Sequence, residues 1–127
     1  MHWLIWGASV FIVVSLLLAW LATGVRILGI ASLKSRFPAH DNLVKAHIDY
    51  ILMALLLIAF YLLGNNLPAW VVACMVAGGA LNPFLFIVVA MYKPGEFRPG
   101  AFVMAITMFS FVITTIGFGA AAIIAVM

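Results

Sequence analysis

The chain has 127 residues, of which 69% are hydrophobic and only 7% charged, against roughly a quarter charged in an ordinary soluble domain. Too few polar side chains are present to cover a soluble fold of this size, which excludes a soluble enzyme and a disordered chain. The net charge of +3 rests on six basic residues against three acidic ones with no basic stripe, which excludes a nucleic-acid binder.

What remains is an integral membrane protein, and the length suits one domain over residues 1–127. The first apolar run, about residues 3–28, carries no charge before Arg26. It has no basic leader and no clean small-residue cleavage pattern, so a retained first span is expected rather than a signal peptide. A connection follows with Ser32, Ser35, Pro38, Asp41 and Asn42. The second span is expected at about 46–63 and ends in the turn Gly64-Asn65-Asn66-Leu67-Pro68. The third runs over about 69–92 and breaks at Lys93 to Gly100, which holds Pro94, Gly95 and Pro99. The fourth, about 101–127, contains no ionisable side chain. Each is near or above the roughly 20 residues that cross a bilayer core, and none alternates as a barrel strand would. The fold class is therefore all-α, a four-transmembrane-helix bundle.

The nine charged residues fall on one side of this topology. Arg26, Lys34, Arg36, Asp41, Lys45 and Asp49 belong to the first connection and its edges, and Lys93, Glu96 and Arg98 to the third. By the positive-inside rule both connections are expected in the cytoplasm and both termini outside, in a bacterial inner membrane. Trp3, Trp6 and Trp70 are then expected at the outer interface. Small residues at 77–80 and in Gly117-Phe118-Gly119-Ala120-Ala121-Ala122 predict close helix approach, or room for a planar cofactor.

The inventory of chemistry is short. Cys74 stands alone, so no internal disulfide forms and an inert thiol is expected. No zinc-type spacing, phosphate loop or Ser/His/Asp set exists. His47 enters the second span in Lys45-Ala46-His47-Ile48-Asp49-Tyr50. Neutral imidazole ligates transition metals and haem iron, while the plain reading is an interfacial histidine bonded to a carboxylate or water. Lys45 and Asp49, four apart, are expected to pair along the helix. Asn82, followed by Pro83, lies inside the third span, where an amide needs a partner and either bridges helices or lines a pocket. Ser110, Thr114 and Thr115 are expected to bond back to their own helix. Met104 to Phe111 reads as lipid-facing or core. His2 and His40, at the terminus and in a turn, rank behind His47.

Lys45-Ala46-His47, Asn82, the turn ending Arg98-Pro99-Gly100 and the small-residue fourth span with Phe109-Ser110-Phe111 together resemble the styrene oxide isomerase family of small four-span membrane proteins. The likeness runs thinly over most of the chain and its motifs are short. It implies haem b bound in the membrane, a homotrimer, and His47 as the axial ligand of the haem iron. It also implies Lewis-acid isomerisation of a small apolar epoxide to an aldehyde at ferric haem. Asn82 would then be a catalytic amide, and Tyr50, three residues from His47, could supply a hydroxyl by a different route. Two of the family's substrate-positioning places carry other residues here: Met53 stands for an asparagine and Phe86 for a tyrosine, and each change removes a hydrogen-bond donor.

Two other classes compete. One is a non-enzymatic small subunit or scaffold of a larger membrane complex, drawn from the nearly non-polar first and fourth spans. The other is a haem-based redox or sensor protein. A transporter ranks below both, since no midplane charge and no inverted repeat are found.

Overall fold

The computed structural model describes residues 2–64, 66–93 and 100–127. Five helices follow in order: α1 (His2–Arg26), α2 (Ala31–Arg36), α3 (Asp41–Leu63), α4 (Ala69–Ala90) and α5 (Ala101–Val126). The four long ones have 25, 23, 22 and 26 residues and are apolar enough to cross a membrane. At 1.5 Å per residue they rise about 33–39 Å, more than the ~30 Å hydrocarbon core. Their outer faces are large and apolar, with Trp20 73% and Leu17 60% exposed. Helix is the only option there, because lipid offers the backbone no hydrogen bonds. Gly29 and Gly64, at φ 62° and 71°, turn the chain out of α1 and α3 in the left-handed conformation that favours glycine.

Two boundaries differ from the sequence expectation. The second span's helix begins at Asp41, not near residue 46. Hydropathy reports only the lipid-facing part, whereas helical hydrogen bonding continues through Asn42 and Lys45, and Asp41 suits a helix N-terminus. The first connection contains α2, a six-residue helix with no buried residue, which leaves no apolar periodicity to read. Residues 94–99, most of the third connection, lie outside the described residues, and with them Glu96 and Arg98.

The helices form a row, α1–α3–α4–α5, rather than a closed ring. α1 also touches α4, and α3 touches α5 only slightly, while α1 and α5 do not meet among the described residues. The α3 core stripe is Leu43, Ala46, Tyr50, Ala54 and Leu57, spaced by three and four as a helix face requires. The Ala39 amide donates to the Ala90 carbonyl at 3.2 Å and fastens the first connection to the end of α4. Arg26, Lys34, Arg36, Asp41, Lys45 and Lys93 accordingly belong to one end of the molecule.

The small residues of α4 and α5 do bring backbones together, at chosen points. A Cβ on Gly78 would stand 2.9 Å from Thr114 Cα, and one on Gly117 would stand 2.7 Å from the Met75 amide nitrogen. Ser110, Gly117 and Ala121 are the buried residues of α5, and with Thr114 they make a seam spaced four, three, four. That is the spacing of a left-handed helix pair. Cys74 is half-buried beside Gly117 and unpaired.

Candidate functional site

His47 sits on the flank of α3 that meets α1. Its Nδ1 lies 2.7 Å from the Ser15 carbonyl oxygen and 3.1 Å from the Ser15 hydroxyl. A carbonyl only accepts, so Nδ1 carries a proton and donates it, and in the neutral ring the lone pair is on Nε2. Nε2 has no hydrogen-bond partner among the described residues. No buried side-chain nitrogen or oxygen there is left unpaired, so Nε2 opens at the surface of the α1–α3 pair. That surface is apolar, with Ile48 51% and Ile51 37% exposed. Buried Ser15 is the residue that sequence reading missed, because its partnership with His47 exists only once α1 packs on α3.

Tyr50, one turn on, faces inward. It is 6% exposed, its ring lies 5.5 Å from that of Phe11, and its hydroxyl donates to the Ala80 carbonyl at 2.9 Å. This bond falls beside the point where Pro83 interrupts the α4 ladder, since proline cannot donate to the Gly79 carbonyl.

Asn82 does both things proposed for it. Its Nδ2 donates to Thr114 Oγ1 at 3.2 Å, and its Oδ1 accepts from the Ser110 hydroxyl. Thr114 Oγ1 in turn donates to the Ser110 carbonyl at 2.7 Å, closing a triangle between α4 and α5. Ser110 thus bonds across helices rather than back to its own, because it is buried on the seam facing Asn82; Thr114 and Thr115 bond back as expected. Asn82 also lines a cavity of about 430 Å³ with Asp49, Met53, Phe86, Thr107 and Phe111. Asn82→Leu should destabilise the fold by about 1 kcal/mol, the scale of interhelical hydrogen bonds in membranes. Unfolding in mixed micelles by dodecyl sulfate titration would measure it, and an unchanged midpoint would contradict the triangle.

The expected Lys45–Asp49 pair does not form. Among the described residues the close contact of a basic with an acidic side chain is His40 Nε2 with Asp41 Oδ1, at 3.8 Å. Lys45 is exposed, while Asp49 turns to the cavity between α3, α4 and α5. Spacing permits the pair, but Asp49 lines the cavity while Lys45 stays exposed. Met104 and Phe111, read from sequence as lipid-facing or core, form part of the cavity wall while still 52% and 55% exposed.

Comparison with family models, curated proteins and solved structures found no match.

The three sequence candidates are therefore placed on three faces. Residues 47 and 49 are about 200° apart around α3, so His47 looks out beside α1 and Asp49 looks toward α5. Tyr50 is spent on Ala80 between them, and Asn82 faces the cavity on the far side. His47, Tyr50 and Asn82 do not share a pocket within one chain. Among the described residues no group of three or more His, Cys, Asp or Glu side chains could hold a bare metal ion. His47 is a lone donor, a set that suits a macrocycle supplying its own four nitrogens.

Proposed function

We propose that the chain is a haem-b-binding integral membrane protein of the styrene oxide isomerase type, with His47 as the axial ligand of the iron. The observation that carries the reading is the His47–Ser15 contact of 2.7 Å. Histidine ligands characteristically donate the other ring nitrogen to a carbonyl or carboxylate, which fixes the tautomer, orients the ring and raises its basicity. Here the carbonyl belongs to a helix backbone, and the free Nε2 opens on an apolar, membrane-facing surface. A haem there would have apolar side chains around it and one protein nitrogen to bind. We further place the charged end in the cytoplasm of a bacterial inner membrane, by the positive-inside rule, and infer a homotrimer from the resemblance.

When bound and ferric, that group would supply a Lewis acid for isomerising a small apolar epoxide to a carbonyl compound. The chain's part is to hold the ligand ring and keep water away with Ile48 and Ile51. Met53 and Phe86 wall the Asp49 cavity and donate no hydrogen bond to a substrate. Used for electron transfer or ligand sensing instead, the same group would make the protein a redox or sensing device.

The test is an absorbance spectrum of the detergent-purified protein with pyridine haemochrome quantification. A Soret band at about one haem per chain supports the reading, and a colourless preparation from haem-replete cells overturns it. Aldehyde formation from small aryl and alkyl epoxides then separates catalyst from carrier. One observation favours a second reading, a small subunit of a larger membrane complex: among the described residues α1 and α5 do not meet, so the row of helices has two open ends. Stable co-purification with a larger membrane protein would support it.

A further inference from the structure

The cavity on the far side of α3 has its own chemistry, independent of His47 and of any haem. α3 and α5 both pack on α4 but hardly touch each other, which leaves a cleft over α4. Phe60 and Phe118, with ring centroids 6.3 Å apart, bridge α3 and α5 toward the end of the molecule remote from the charges. Below that bridge lies the cavity of about 430 Å³, within the roughly 300–1,000 Å³ of small-molecule sites.

Its walls are apolar and aromatic, with Met53, Phe86 and Phe111 among them. Three polar side chains reach it: Asp49, Asn82 and Thr107. Two of these are committed. Thr107 Oγ1 donates to the Val103 carbonyl at 2.8 Å, keeping only lone pairs for a ligand. Asn82 has its oxygen on Ser110 and one amide hydrogen on Thr114, which leaves a single N–H. Asp49 is committed to nothing: it makes no hydrogen bond and no ion pair among the described residues, and Lys45, the cation one turn earlier, is exposed and elsewhere. A carboxylate inside a membrane-spanning helix is expected to have a partner, because its charge is costly there and is usually retained for a function. Among the described residues the cleft offers it none.

We propose that this cavity is a binding site for a small organic cation, an ammonium group carried on an aromatic or aliphatic body, with Asp49 as its counter-ion. The ammonium donates to the Asp49 carboxylate, and Thr107 Oγ1 can accept a second hydrogen. Phe86 and Phe111 favour a cation electrostatically through their ring faces and pack against the apolar body. An anionic ligand would meet Asp49 as a like charge. A neutral ligand of the same shape would leave the carboxylate unpartnered.

The probe is 2-(4-fluorophenyl)ethylamine, followed by fluorine NMR against the full chain in phosphatidylcholine nanodiscs. Its neutral counterpart, 2-(4-fluorophenyl)ethanol, is run beside it. The amine should bind saturably, and the alcohol should bind about ten- to hundredfold more weakly, the worth of a charge-assisted hydrogen bond. Asp49→Asn should weaken the amine by a similar factor and leave the alcohol unchanged. Thr107→Phe, which fills the cavity while leaving Asp49 in place, should weaken the amine as well. Equal binding of amine and alcohol, undiminished amine binding in Asp49→Asn, or no saturable binding of the amine would each overturn the proposal. The readout involves no haem, so it stands or falls separately from the spectrum at His47.

Discussion

Gly117→Leu should pry α4 from α5 and cost the fold about 3 kcal/mol, the upper part of the usual range for overpacking. Even one added carbon at this position would stand 2.7 Å from the Met75 amide nitrogen and 2.9 Å from the Cys74 carbonyl carbon. Those atoms are backbone and cannot swing aside as a flexible side chain would. The helices must separate, and the separation is felt at Thr114, one turn away, where the Asn82–Ser110–Thr114 triangle depends on close approach. In lipid no hydrophobic force between helices compensates, since lipid tails are as apolar as leucine. Gly119→Leu is the matched control. Nothing lies within 4 Å of a Cβ on Gly119, so the same substitution two residues on should stay within about 0.5 kcal/mol of the parent. Dodecyl sulfate titration, read by the near-ultraviolet circular dichroism of the tryptophans, compares the two. Equal effects would mean that the α4–α5 seam is not as described.

The contrast between Gly117 and Gly119 also shows what a sequence carries. Both glycines signal close approach by composition, yet only the one in phase with Ser110, Thr114 and Ala121 meets the partner helix. Phase around a helix depends on where its neighbour sits, which hydropathy does not encode. The long helices themselves were legible because lipid imposes one requirement on every residue of a span. α2 and the start of α3 at Asp41 lie outside that requirement and were not.

Side-chain partnerships divide the same way. The back-bonded Thr114 and Thr115 follow from local helix geometry and could be read directly. Ser15 with His47, Tyr50 with Ala80 and Ser110 with Asn82 each join different helices. They exist only once those helices pack. Asp49 had a usable signal, being a carboxylate in an otherwise apolar stretch. The nearby Lys45 offered a simpler explanation that the structure does not realise. The open row of helices was the least accessible feature, because a four-span chain can close into a ring or stay open with the same hydropathy.

His47→Ala should abolish haem binding while the four-helix fold still inserts. The imidazole is not part of the core stripe Leu43, Ala46, Tyr50, Ala54 and Leu57, so its loss removes the two contacts with Ser15 but leaves the apolar packing of α1 on α3 in place. Ser15→Ala separates the two ways the ring is held. It removes the hydroxyl 3.1 Å from Nδ1 but keeps the carbonyl at 2.7 Å, which is backbone. If the carbonyl fixes the tautomer, Ser15→Ala should retain nearly full haem. If the hydroxyl mattered as much, affinity would fall by about 10- to 100-fold, the usual penalty for losing a ligand's supporting partner. His47→Gln keeps a polar side chain of similar reach but lacks the imidazole lone pair, so it should behave as His47→Ala does. Exogenous imidazole added to His47→Ala should restore part of the Soret band by occupying the vacated place. Full haem content in both His47 variants would move the ligand elsewhere, with His40 the next histidine to test. Empty His47 variants beside a loaded Ser15→Ala would tie haem binding to His47 Nε2, with the Ser15 carbonyl holding the ring.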